Sequence, residues 1–194
     1  MNQRHSKLAL GAVILATATA GAAAWQMQPV RDVHVAATEA FDLGKAANAA
    51  AWADDVFVAE VTSGPKYHSI SGDLPVTVWN AKVLDVSKGR VTKTIHIAQS
   101  GGLDSVKKER FVVEGVIPLE EGHTYLFVTR ASSRGWHMVP TGRQPVEITG
   151  SPSTALAAFK KEASHEKVTP DLEQFPSEVA ASQNDDTIYQ KAQA

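Results

Sequence analysis

Seven histidines, three pairs of adjacent carboxylates and one serine flanked by glycines are the residues of this chain that could carry chemistry. None of the histidines (His5, His34, His68, His96, His123, His137, His165) stands at the H-E-x-x-H spacing that sets two imidazoles on one helix face for zinc. His96 and His137 fall on expected strands and could meet across a sheet with Glu60 or Asp85 to hold a metal. The simpler expectation is a pair of solvent-facing strand histidines. His165-Glu166 sits at an expected helix end, where it would interact with the helix dipole. Ser100 precedes Gly101-Gly102 but lacks the G-x-S-x-G turn that strains and exposes a nucleophile. A hydrolase would need Ser100, His96 and an acid such as Glu60 or Asp104 within about 3 Å of one another. The carboxylate pairs Asp54-Asp55, Glu120-Glu121 and Asp185-Asp186 are adjacent in sequence. On a strand such neighbours point apart, so they read as turn or cap residues and not as an acid/base pair. No catalytic residue, metal or cofactor is therefore expected.

Two other groupings could recognise a ligand. Trp79, Tyr125 and Trp136 could form an aromatic platform for a sugar or peptide, or could instead fill and cover the core. Lys88, Arg90 and Lys93, with Lys107, Lys108 and Arg110, make two basic patches near strand ends. These could meet anionic wall polymers or lipid headgroups, or could simply be solvated.

The elements that must position these residues centre on Val76 to Ile97, VTVWNAKVLDVSKGRVTKTIHI. It reads as a strand, a turn at Ser87-Lys88-Gly89-Arg90 and a return strand, rich in Val, Thr and Ile. Gly89 supplies the positive φ that such a turn needs. Thr77, Trp79, Ala81 and Val83 share one face; the other carries Val78, Asn80 and Lys82, then turns apolar at Leu84 and Val86. That switch suits a coiled strand serving two parts of a barrel wall. Ile95 and Ile97 face the interior.

Around the hairpin, Val56–Thr62 is a strand, Ser63–Leu74 a loop, and Leu103–Arg110 a charged loop or short helix. Phe111–Val116 is a short strand and Thr124–Arg130 a strong one, hairpin-paired to Trp136–Val139, with Val146–Thr149 closing the set. About six short strands separated by turns predict an all-β fold, a mainly antiparallel small barrel. The segment 151–166, capped by Ser151 or Ser153, is a helix with Leu156, Phe159 and Ala163 on one face, packing over an open end or edge. Residues 25–52 read as a linker (Gln26–Ala37) followed by a short helix, with Trp52 capping one end of the barrel. Residues 167–194 read as a flexible tail.

Arg4, His5 and Lys7 precede an apolar run, Leu8 to Trp25, whose second half is only Ala, Thr and Gly. Residues 1–24 are expected to be an export signal cleaved after Ala24, or an uncleaved anchor helix. Either places the body outside the cytoplasmic membrane. The chain of 194 residues has a net charge of −2, or 17 basic against 21 acidic residues once residues 1–24 are removed. Nucleic acid is not expected as a partner. The absence of cysteine excludes disulfides and thiolate metal sites.

The runs ADDVFVAEVTS, VTVWNAKVLDVSKG, IHIAQSGG and PLEEGHTYLFVTR together resemble small secreted bacterial proteins of uncharacterised function. The resemblance covers 53–150. It implies a β-barrel like the oligonucleotide/oligosaccharide-binding (OB) fold, in the version of netrin-like and metalloproteinase-inhibitor domains. Ala59 stands where a glycine is usual and Ser100 where a proline is usual. Inhibitors of that fold bind the target's metal through an N-terminal cysteine, which this chain lacks, so their mechanism does not carry over. The function expected is an exported, monomeric, non-enzymatic binding module. Its partner would be a protein or a cell-envelope polymer, and it would touch a membrane only through the N-terminal segment. The alternatives are an anchored surface protein acting through a partner, and a secreted hydrolase.

Overall fold

Strands β2 (Asp55–His68) and β3 (Val76–Lys88) pair antiparallel along most of their length and form the spine of the structure. The computed structural model describes residues 29–37, 40–69, 74–170 and 172. The export signal or anchor expected at 1–24 lies outside them, as does most of the tail. Four register shifts interrupt the β2–β3 ladder. Val58 opposes Asp85 while Ala59 opposes Val83, which leaves Leu84 as an extra residue; Ser87 is extra in the same way one step on. Bulges of this kind bend a strand and increase its twist. Leu84 and Val86, read as a second apolar face, are instead 41% and 38% exposed. The bulges, not a second buried wall, do the coiling.

β4 (Thr94–Ser100) returns antiparallel to β3, with Trp79 opposite Ile97 and Ala81 opposite Ile95. β7 (Thr124–Ala131) pairs antiparallel with the other side of β2. β8 (Trp136–Met138) pairs antiparallel with β7 and parallel with β4, and β9 (Val146–Glu147) lies along β7. Side chains at alternate positions of these strands meet inside. Phe57, Ala59 and Val61 of β2 pack against Trp79, Ala81, Ile95, Ile97, Tyr125 and Phe127. Ile95 and Ile97 are both buried, as the strand pattern requires.

The opposite face of β2 and β7 is also buried. Val56, Val58, Leu126 and Val128 pack against α1 (Ala46–Trp52) and α2 (Pro152–His165) through Ala46, Ala49, Leu156 and Phe159. The C-terminal helix thus lies on a sheet face beside α1; an open end or edge was expected. Pro152 stands in its first turn, where a missing N–H costs nothing. The N-terminus of α1 has no side-chain cap of its own, and Glu166 Oε2 accepts the Ala47 N–H instead, at 3.0 Å.

Three expected loops are ordered otherwise. β1 (Arg31–Val35), read as linker, runs parallel to β6 (Glu109–Val113), while β5 (Gly102–Asp104) pairs antiparallel with β6. The charged stretch Leu103–Arg110 is therefore a hairpin, not a helix. β2 continues through a cis Gly64–Pro65 bond well into the expected Ser63–Leu74 loop. The tail also starts tied down. Buried Asn48 donates through Nδ2 to Asp42 O and Thr169 Oγ1 and accepts the Thr169 N–H, and Leu172 is buried. No helix among the described residues is long and apolar enough to cross a membrane.

Ile97→Ala, at a wholly buried position, should lower stability by about 3 kcal/mol, and Leu84→Ala on the bulge by less than about 1 kcal/mol. Urea unfolding, with the slope unchanged in both variants, checks the contrast.

Candidate functional site

The interior ends differently at its two extremes. At the Ser100 end, Thr77, Trp79 and Gln99 continue the inward-facing rows of β3 and β4. Gly64 of β2 passes so close to the indole that a Cβ there would lie 2.6 Å from Trp79 Cε3. Beyond β4 the chain turns sharply at Gly102, which has φ 131°; a Cβ there would meet Thr77 Oγ1 at 2.6 Å and Tyr67 Cδ1 at 2.9 Å. Only glycine lets the backbone approach this closely. The small β1–β6–β5 sheet then overhangs the end of the interior without filling it. A cleft of about 220 Å³ remains, walled by Pro65, Tyr67, Trp79, Phe111, Val113 and Pro118.

Four polar residues, Thr77, Gln99, Ser100 and Arg110, also line the cleft. Thr77 Oγ1 donates to Gly101 O at 2.8 Å. Gln99 is satisfied at both ends: Nε2 donates to Ile117 O at 2.9 Å, and Oε1 accepts the Leu119 N–H at 3.3 Å. The Trp79 ring forms part of the wall. It is 6% exposed, and its Nε1 has no hydrogen-bond partner among the described residues. A buried donor without a partner costs about 1–3 kcal/mol.

At the other end, charged side chains pair with one another and with backbone groups. Asp54 Oδ2 accepts the Ala131 N–H at 2.9 Å, and Asp55 Oδ2 lies 3.0 Å from Nδ1 of His137. His137 packs edge-on to Phe57. Arg130 Nε donates to Trp52 O at 2.8 Å, and its guanidinium lies 4.5 Å over the Trp52 ring. Lys88 Nζ donates to Ala50 O and Ala53 O at the end of α1. Burial lowers the Lys88 pKa, and the nearby Asp54 and Asp55 oppose that shift. Burial likewise lowers the pKa of Arg130. These contacts tie the end of α1 to β3 and β7; Trp52, expected to cap an end of the barrel, packs instead with the apolar cluster under the helices.

The residues singled out from sequence distribute as follows. Trp79 and Tyr125 are interior, Tyr125 accepting the Glu120 N–H at its hydroxyl, and burial raises its pKa. Trp136 sits on the other side of the sheet with Val76, Val78 and Ala98, its ring 5.2 Å from that of His68. The three do not share an exposed face, because strand alternation sends Trp136 away from the other two. The two basic groups stand at opposite ends of β4, roughly 20 Å apart. Lys88 is exposed like Arg90 and Lys93, but its Nζ reaches back to the carbonyls at the end of α1. Lys107 lies 3.8 Å from Asp104 and Arg110 3.8 Å from Asp32, and Lys108 sits in the hairpin turn with φ 55°. No single basic face results.

Ser100 and His96 lie four residues apart on one strand, roughly 13 Å, and Asp104 Oδ1 accepts the Val106 and Lys107 N–H groups. Glu60 opposes Lys82 and Thr124 away from both. His96 is exposed, whereas His137 opposes inward-facing Ile97, so these two histidines do not converge. Among the described residues no group of three His, Asp or Glu side chains could hold a metal. The cleft was missed from sequence because its walls come from β2, β3, β6 and the segment before β7; the one available signal was the Gly-Gly pair after Ser100.

Gly102→Ala should cost about 2 kcal/mol, from backbone strain and the Thr77 contact, and should alter the Tyr67 and Trp79 environments. Lys88→Met should cost about 1 kcal/mol by releasing two helix-end carbonyls. Urea unfolding followed by tryptophan emission reads both. No protein-family model matches this chain, and neither does any curated protein.

Proposed function

We propose that this chain is an exported, non-enzymatic binding module, a small OB-like barrel that takes its ligand in the cleft at the Ser100 end. The observation that carries the reading is the cleft of about 220 Å³ with mainly apolar walls that the β1–β6–β5 sheet leaves at the Ser100 end. Sites of this kind favour the mouths of barrels and combine apolar walls with few polar groups. The barrel reading is supported by the pairings β2–β3–β4–β8–β7–β2, which return to their starting strand with β4–β8 as the parallel step. That connectivity suits a five-stranded Greek-key barrel of the resembled kind. Binding is favoured over hydrolysis because Ser100, His96 and the candidate acids do not converge.

Two measurements test the proposal. The protein purified from the envelope fraction of a bacterial host should have a mass beginning at Trp25; recovery from the cytoplasm with residues 1–24 intact would sink the export reading. Titration with toluene should move the NMR signals of Trp79, Phe111 and Val113 and leave those of the β3–β4 turn in place. Signals that stay fixed throughout would remove the cleft as a binding site.

A further inference from the structure

We infer that β1 is the interface of a twofold homodimer, in which it pairs antiparallel with β1 of a second copy, Val33 against Val33 and Asp32 against His34. A monomer was expected from sequence, where Arg31–Val35 read as linker; the edge exists only because that stretch is a strand. β1 is the outermost strand of its sheet and pairs with β6 alone. Arg31 N donates to Lys108 O at 2.9 Å, and Val35 O accepts the Glu114 N–H at 2.9 Å. Arg31, Val33 and Val35 therefore turn their backbone groups toward β6, and Asp32 and His34 turn theirs outward. The outward N–H and C=O groups have no partner among the described residues, and Asp32 and His34 are both exposed.

The devices that commonly blunt a sheet edge are missing from this strand: no proline, lysine or bulge interrupts Arg31–Val35. Its two formal charges are answered inside the sheet, Arg31 by Glu109 and Asp32 by Arg110. An approaching strand therefore meets open ladder groups and little unbalanced charge.

Register selects a second copy as the occupant. Outward groups must meet outward groups, so the twofold axis passes through Asp32, Val33 or His34. Centring on Asp32 sets two carboxylates directly opposite, which is destabilising. Centring on His34 sets the two imidazoles opposite and carries Asp32 past the end of the strand, against the partner's Ala36. Centring on Val33 keeps every outward group within the strand and sets Asp32 opposite the partner's His34 twice. An imidazole N–H can donate to the carboxylate whether the ring is neutral or protonated. Across the outer face the row then reads Arg110, Asp32, the partner's His34 and the partner's Val112. Across the inner face it reads Phe111, Val33, the partner's Val33 and the partner's Phe111, apolar throughout. Two three-stranded sheets become one of six strands. Five residues a side make a small interface, of the transient class.

The test exploits the absence of native cysteine. In Val33→Cys the two Cα atoms would stand about 4.5 Å apart, within the range a disulfide spans. Asp32 is more exposed than Val33, yet in Asp32→Cys the two Cα atoms would stand roughly 8 Å apart, beyond that range. Under glutathione disulfide, Val33→Cys should form covalent dimer at least about tenfold faster than Asp32→Cys. In the native protein, raising the concentration from about 20 μM to about 1 mM should shift the amide signals of Asp32 and His34. His34→Asp, which opposes two carboxylates in the dimer, should abolish that shift. Equal oxidation rates, or a faster Asp32→Cys, overturn the register, and a shift that survives in His34→Asp overturns the Asp32–His34 pairing. Sedimentation of the native protein as a monomer at about 1 mM, with those amide signals unmoved, overturns the dimer whatever the variants do.

Discussion

Burial of β2 on both faces is the constraint on which the rest of this structure depends. Phe57, Ala59 and Val61 face one apolar interior while Val56 and Val58 face a second, beneath the two helices. A strand in that position must find ladder partners on both edges and apolar cover on both sides, because an unpaired backbone group without water is costly. β3 and β7 provide the edges, and α1 and α2 provide the outer cover. The same double burial applies to β7, whose Leu126 and Val128 face the helices while Tyr125 and Phe127 face inward. A slip of one residue in the β2–β7 ladder would exchange the two sets, so packing on both sides fixes a single register.

The bulges opposite Val56–Ala59 follow from this arrangement. β3 is long, and a flat ladder would not let it contact β2 along its length while β4 curls back toward β8. Extra residues at Leu84 and Ser87 absorb the mismatch and give the strand its bend. The interior that results needs closing at both ends. One end uses paired charges and helix-end carbonyls, although Thr129 Oγ1, beside Asp55, has no partner among the described residues. The other end uses glycine contacts and an overhanging small sheet, and there the indole of Trp79 remains unmatched. Stability alone would favour filling that end, which makes the open cleft the feature most in need of a functional explanation.

Much of the core was legible from local pattern. Alternation along Trp79, Ala81 and Val83 and along Ile95 and Ile97 marked the inward rows correctly, since strand side chains alternate whatever the tertiary context. The apolar spacing of Leu156 and Phe159 marked the buried face of α2 for the same reason. The Leu84 and Val86 expectation failed because a bulge changes the phase of a strand, and bulges leave no signature in hydropathy. Tyr125 and Trp79 were legible as aromatic strand residues, but whether they made an exposed platform or filled the core depended on which strands lay opposite.

The sequence by itself determined which residues could be strand, turn or helix and which chemistries were absent from its composition, cysteine chemistry above all. Those properties are local or compositional, and each residue carries them wherever it lies. Only the tertiary structure decided that Arg31–Val35 is a strand, that Asn48 ties down Thr169, and that Asp55 meets His137. Each joins positions 78 to 121 residues apart, taking Arg31 with Glu109 for the strand. Such pairings are selected by the free energy of the whole packed assembly, because the cost of closing a long loop is met only when many contacts form together. The cleft belongs to the same class: it is a space left between elements, and no single stretch of the chain encodes it.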